Sequence, residues 1–176
     1  MKRSVALLAG CALLAACSNL TLRSSTATAA LAPTKGNQAA GNVTFVQKGD
    51  KVLVEARIVG LTPGLHGFHI HEKPDCTAAD GMSAGGHFNP HKAAHAGPDS
   101  AQRHAGDLGN LNADAGGVAV YRAEIRGITL GMGDDSIIGR SVIVHANPDD
   151  LRTQPAGNAG ARLACGLISK GKDQWF

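Results

Sequence analysis

All eight histidines of the chain fall between residues 66 and 145: His66, His69, His71, His87, His91, His95, His104 and His145. A single histidine is usually a surface or hydrogen-bonded core residue. Eight in one stretch point instead to metal, because neutral imidazole is the commonest metal ligand among side chains. The stretch GFHIHE, residues 67 to 72, reads as a strand. Alternate residues of a strand share a face, so His69 and His71 point the same way and can chelate one ion. Only Cys76 and Cys165 lie beyond the N-terminal region, which excludes a thiolate-rich site. Nitrogen ligands without sulfur suit zinc or copper. His87 stands in GGHF, His95 in HAGP, and His104 and Asp107 in RHAGDLGN. The last two are three residues apart, a spacing that a tight loop wraps around one ion, and three imidazoles with one carboxylate make a tetrahedral zinc set. His145, at the end of SVIVHA, completes a set of three with His69 and His71. His87 can serve two neighbouring sites, one ring nitrogen to each.

The elements that hold these residues read as strands. The chain has 176 residues, enough for one domain with a sizeable core, and 23 glycines against few aromatics. Such a chain needs many tight turns and packs its interior with Val, Ile, Leu and Ala. GNVTFVQK and KVLVEARIVGL flank Gly49-Asp50 as a hairpin, and GLHGFHIHE follows Thr62-Pro63. LGNLNADAGGVAVYRAEI reads as a second hairpin turning near Asp114 to Gly117, SIIGRSVIVHA as one strand and ARLACGLIS as the last. The Gly-, Pro- and His-rich stretch 74–107 and NPDDLRTQPAGNAG are long loops, and loops of that length in a compact domain are usually functional. Many short strands with two long loops predict an all-β sandwich or barrel. No repeat, Rossmann-type glycine pattern or P-loop is present. The net charge of +3, with no Lys/Arg block, argues against a nucleic-acid partner.

The N-terminus reads as an export segment. MKR is a basic start, and the apolar run after it is short for a bilayer span. LAAC, residues 14 to 17, resembles a bacterial lipobox, which makes Cys17 the expected lipidation site and places the protein in the periplasm or cell envelope, anchored to a membrane. LAGC, residues 8 to 11, also matches but leaves a very short apolar core, and a plain cleaved secretory signal is the alternative. The expected organisation is a signal and lipobox segment over 1–17, a flexible Ser-, Thr- and Ala-rich tether over 18–38 and a folded domain over 39–176. In an exported domain, Cys76 and Cys165 most simply form one disulfide; two buried free thiols are the other arrangement.

GFHIHE, GGHFNP, HAGP, RHAGDLGN, IIGRSVIVHANPDDL and GNAGARLACGLI together resemble the copper/zinc superoxide dismutase family, over about residues 39 to 169. The resemblance implies an eight-stranded Greek-key β-barrel or sandwich of immunoglobulin-like type. It implies copper held by His69, His71, His87 and His145, and zinc held by His87, His95, His104 and Asp107, one ion of each per subunit. Asp149 resembles the carboxylate that accepts hydrogen bonds from His69 and His95, and Arg162 the arginine beside the copper that docks the superoxide anion. His87 takes a catalytic part with Arg162 as the bridging imidazole, and Cys76–Cys165 matches the family's disulfide. His66 is expected to cap or pack against loop backbone, outside the metal set, as is His91. The implied activity is dismutation of superoxide to dioxygen and hydrogen peroxide by alternation of the copper oxidation state, with zinc structural. The loop between His145 and Arg162 carries few charges, which departs from the charged cluster of many relatives, and the mixed motif pattern leaves a homodimer open. A copper/zinc storage or delivery protein of the same fold is the alternative; a purely structural zinc domain has no use for His69, His71 and His145 together.

Overall fold

A computed structural model of the chain describes residues 25–171. The signal and lipobox segment with Cys17, and Trp175 and Phe176 of the tail, lie outside the described residues. Among the described residues the fold is all-β apart from a single 3-10 turn, Met82–Ala84. Its strands are β1 (Thr26–Pro33), β2 (Ala40–Lys48), β3 (Lys51–Val59), β4 (Gly64–His71), β5 (Asp107–Ala113), β6 (Ala119–Arg126), β7 (Ser141–His145), β8 (Arg162–Leu167) and the two-residue β9 (Ser169–Lys170). They hydrogen-bond in the order β2-β3-β6-β5-β4-β7-β8-β1, and β1 returns to β2, so the sheet closes on itself. The ladders are antiparallel, and β9 extends the contact of β8 with β1. Closure leaves no free edge, and the jump from β3 across to β6 gives the expected Greek-key order.

One expectation is corrected at the start of the domain. Thr26–Pro33, read as tether, is strand β1, paired with β2 over Thr26↔Val46 to Leu31↔Gly41 and with β8 at Ala32↔Cys165. Its period-two pattern is carried by small residues: Ala27, Ala29 and Leu31 point inward and are buried, while Thr and Ala alternate outward. Alanines fill the space where β1 closes the barrel, so the strand carries no large apolar signal. The run SIIGRSVIVHA is likewise strand only over Ser141–His145; Gly139, at φ 77°, breaks it, and Ile137 packs into the core from a loop. The two expected hairpins form, at Gly49-Asp50 and at Asp114 to Gly117.

The interior is lined by Phe45, Phe68, Ile70, Leu111, Val142 and Val144, all buried, with Phe68 meeting Tyr121 edge-on at 5.3 Å. Phe68 and Ile70 of β4 face this core, so His69 and His71 face out of the barrel. Yet both histidines are buried, because the loops 72–106 and 146–161 cover that outer face. β4 and β7 are therefore buried on both sides, one apolar and one imidazole-lined. The first loop is fixed by a backbone ladder: Ile70 N–H donates to Gly106 O, Phe88 N–H to Ile70 O and Gly106 N–H to Phe88 O. A Cβ on Gly106 would strike Ile70 O, so only glycine admits this strand-like approach. The Cys76–Cys165 disulfide ties the same loop to β8.

Candidate metal centre

Two donor groups form on this outer face. Ring nitrogens of His69, His71, His87 and His145 lie within 4.8 Å of one another, and so do single donor atoms of His87, His95, His104 and Asp107. His87 belongs to both. β4 supplies His69 and His71, and the β-bridge His71↔His87 sets the loop residue beside them. β7 ends on His145, whose cross-strand partner is Arg162 at the start of β8. Asp107 opens β5 opposite His69. The seven ligand residues expected from the motifs and the resemblance thus meet as two sets that share His87, whereas His66 and His91 stand apart. His66 is clamped between the carbonyls of His145 and Thr62, each at 2.8 Å from one ring nitrogen, and the exposed His91 pairs with Asp135.

Hydrogen bonds choose which nitrogen of each ring is left free. His71 Nδ1–H donates to Gly85 O at 3.0 Å and His145 Nδ1–H to Gly160 O at 3.1 Å, so both turn Nε2 inward, and these two Nε2 atoms are 3.4 Å apart. His69 does the reverse: its Nε2–H donates to Asp149 Oδ2 at 2.8 Å, leaving Nδ1. His95 Nε2–H donates to the other oxygen of Asp149 at 2.9 Å, leaving Nδ1, which lies 3.0 Å from Asp107 Oδ1. His87 Nδ1 lies 2.9 Å from that same Asp107 oxygen and His104 Nδ1 3.3 Å. Asp107 Oδ2 accepts from the backbone of Ala96 and His104, which aims Oδ1 at the three rings.

Two buried ring nitrogens, His69 Nδ1 and His87 Nε2, have no hydrogen-bond partner among the described residues. Both belong to the four-imidazole group. A buried polar atom without a partner costs free energy, so such a pair marks a place built for something else to bind. Four nitrogen donors suit copper, and three imidazoles with a carboxylate suit zinc. The donor sets therefore fit the two ions.

The electrostatics of the two groups differ. Burial pushes the imidazolium forms out of the first group: His69 is lowered to about 4 by burial, with His87 adding, and His145 to about 3 by burial, with His69 adding. His71 is held well below its ordinary value by burial and by the charges of His87, His145 and Arg162. These rings are neutral at pH 7 and ready to ligate. In the second group burial also disfavours charge on His95, but Asp107 and Asp149 together outweigh it and raise this ring to about 9. Donation from His104, His87 and His95 overrides burial at Asp107 and holds its carboxyl far below the carboxylate range. Asp149 is likewise held low, burial being outweighed by the two histidines and the Leu151 N–H.

Several residues that support the site carry no signal of their own in the sequence. Asn110 clasps Asp149 from both sides of its backbone: its Nδ2 donates to Asp149 O at 2.9 Å and its Oδ1 accepts from Asp149 N at 2.7 Å. Gln154 does the same for His95, accepting from its N–H and donating to its carbonyl, both at 2.8 Å. Gly157, at φ 62°, leaves room for the Asp149 carboxylate, which any Cβ there would strike, along with His95 Nε2 at 2.7 Å. Arg162 is held by Nη1 donating to Gly81 O at 2.8 Å and Nη2 to Gly85 O at 2.6 Å. Gly85 O also takes His71 Nδ1–H, so one carbonyl joins the arginine to the four-imidazole group.

Two buried donor sets sharing one histidine, on the outer face of a closed Greek-key barrel, define a β-barrel protein built for a pair of metal ions. The chain matches the copper/zinc superoxide dismutase (SODC) family over residues 39–168 and belongs to that family. It is 46% identical over 134 residues, 73% of its length, to an extracellular superoxide dismutase (Cu-Zn) of Caenorhabditis elegans. It spans 60% of the length of that relative. The copper and zinc of the family's description match the two donor sets.

Proposed function

We propose that this protein dismutates superoxide, converting two superoxide anions and two protons to dioxygen and hydrogen peroxide. The observation that carries the reading is the division of His87: Nδ1 faces the Asp107 group, and the buried, unpartnered Nε2 faces His69, His71 and His145. In this reading His69, His71, His87 and His145 hold copper, and His87, His95, His104 and Asp107 hold zinc. Copper supplies one-electron redox chemistry when bound, and zinc a redox-inert cation. The chain supplies the rest. Arg162, whose charge reaches His71 and His145, docks the anion and raises its local concentration. His87 Nε2 is the atom at which the chain can hold a proton for the peroxide product. Asp149 fixes the rings of His69 and His95 in one tautomer each. Elemental analysis of the purified protein with a superoxide assay, before and after chelation, tests this. Turnover that disappears on chelation and returns with copper is expected; a copper-loaded protein that does not turn over superoxide would establish storage or delivery instead. His145→Ala should abolish turnover and leave zinc bound.

The same proposal includes export. The basic start, the apolar run and LAAC support a signal with lipidation at Cys17, of bacterial type, followed by residence in the periplasm or cell envelope. The relative named above is described as extracellular, and the Cys76–Cys165 disulfide suits an oxidising compartment. Cys17→Ser should abolish incorporation of labelled palmitate in expressing cells. Labelling that persists would point to LAGC or to another anchor. Assembly as a homodimer belongs to the same proposal and is read from sedimentation.

A further inference from the structure

The turn between β1 and β2 lies beside Arg162, with which it lines one cavity. Backbone pairing of β1 with β8 ends at Pro33↔Ala164, after which Thr34 N–H donates to Leu163 O at 3.0 Å. From there a side chain continues the ladder. Thr34 Oγ1, on a buried residue, lies 2.6 Å from the carbonyl oxygen of Arg162 and 3.2 Å from that of Leu163. A hydroxyl has one proton, so the shorter contact is the bond it makes. Its direction is fixed from behind, because Asn37 Nδ2 donates to the same Oγ1 at 2.7 Å.

The apolar side of Thr34 acts on the same arginine. A Cβ on Gly81 would lie 3.3 Å from both Thr34 Cγ2 and Arg162 Cβ, so Gly81 threads between them without a side chain. Gly81 O is one of the two carbonyls that hold the guanidinium. Thr34 therefore meets Arg162 directly through its hydroxyl, which binds the arginine's own backbone, and its methyl borders the space beside Gly81, the residue that receives Nη1. Thr34, Asn37 and Arg162 also line one cavity of about 460 Å³, together with Lys35 and Asp80. Lys35 N–H donates to Ala79 O at 2.7 Å, which joins the turn to the loop carrying Gly81.

We infer that Thr34 is a positioning residue for Arg162, its hydroxyl aimed by Asn37, so that the β1–β2 turn is part of the substrate mouth. This rests on the reading of Arg162 as the anion dock. The backbone pairing of β1 with β8 already closes the barrel without this hydroxyl, and the bond falls on the residue of β8 read above as the anion dock.

The test is a double-mutant cycle of Thr34→Val and Arg162→Ala in the metal-loaded protein, measured as the second-order rate constant for superoxide. Thr34→Val keeps the shape and the methyl and removes the hydroxyl. It should lower the rate constant about tenfold, as small displacements of a docking group do, with metal content unchanged. It should have no further effect in the Arg162→Ala background. Thr34→Ser should restore the rate, and Asn37→Ala should give a part of the loss. Exchange of the Arg162 guanidinium protons, followed by NMR in the zinc-loaded protein, should quicken in Thr34→Val and not in Thr34→Ser. A lowered rate in Arg162→Ala with a normal rate and normal exchange in Thr34→Val overturns the inference and leaves the dock intact. A normal rate in Arg162→Ala overturns the dock itself. If Thr34→Val folds poorly, Asn37→Ala decides by the same two measurements: unchanged rate and exchange reject the inference.

Discussion

Asp149→Asn separates the two metal groups by their hydrogen-bond chemistry. The carboxylate accepts His69 Nε2–H on Oδ2 at 2.8 Å, and His95 Nε2–H and Leu151 N–H on Oδ1 at 2.9 and 2.7 Å. An amide has one oxygen. Two donors converge on Oδ1, so the amide oxygen settles there and the NH₂ faces His69. Two N–H groups then point at each other, and His69 relieves the clash by moving its proton to Nδ1. That is the nitrogen the ring must leave free for a metal. Loss of a partner of this kind costs about 10–100-fold in metal affinity. The four-imidazole group should therefore lose about that factor for copper. The Asp107 group keeps its hydrogen bond and loses only a charge, which has a second effect. His95 titrates at about 9 in the metal-free protein, so at pH 7 its proton weakens metal binding by about a hundredfold. Without the Asp149 charge that proton is held less tightly and competes less. The zinc affinity of the variant should thus match or exceed that of the parent at pH 7 and fall below it at pH 9.5. Competition titrations with chromophoric chelators, for copper and zinc at both pH values, measure all four affinities. Unchanged copper affinity, or a zinc ratio independent of pH, would refute the assignment of donors around Asp149.

Gly157→Ala should weaken both groups together, because its Cβ would displace the Asp149 carboxylate and press on His95 Nε2; about a tenfold loss of copper and zinc is expected by the same titrations, and full retention of both would mean the loop yields elsewhere. The parent protein should show a pH contrast. Zinc affinity of the metal-free form should climb with pH, towards tenfold per unit, until His95 loses its proton at about 9, whereas copper affinity should change little above pH 6, since His69 and His145 titrate at about 4 and about 3. Isothermal titration with proton-release dyes reads both, and proton release on zinc binding at pH 7 that vanishes by pH 10 is the expected sign. Phe68→Ala should cost about 3–5 kcal/mol in urea unfolding of the metal-free protein, because the ring is fully buried and packed on Tyr121. A loss under 1 kcal/mol would show that the barrel collapses around the gap.

The strands with large alternating residues were legible: Val43 and Phe45 of β2 or Phe68 and Ile70 of β4 announce a period of two. β1 was not, because a strand that closes a narrow barrel against two neighbours is lined by alanine, and Ser, Thr and Ala also make tethers. The donor residues of the site were legible too, since ligation demands particular atoms and those atoms belong to few residue types. Local chemistry is written residue by residue: six of the eight histidines, one aspartate at a three-residue spacing, and Cys76 with Cys165 set what the chain can bind and cross-link. Only the tertiary structure decided which ring nitrogen of each histidine stays free, because that choice belongs to its partner, and the partners come from other elements. Gly85 O and Gly160 O turn His71 and His145 one way, and Asp149, eighty residues from His69 and fifty-four from His95, turns those two the other. Thr34, Asn110 and Gln154 act through backbone groups brought near by the closed sheet, and a hydroxyl or amide in a sequence gives no hint of which distant carbonyl it will meet.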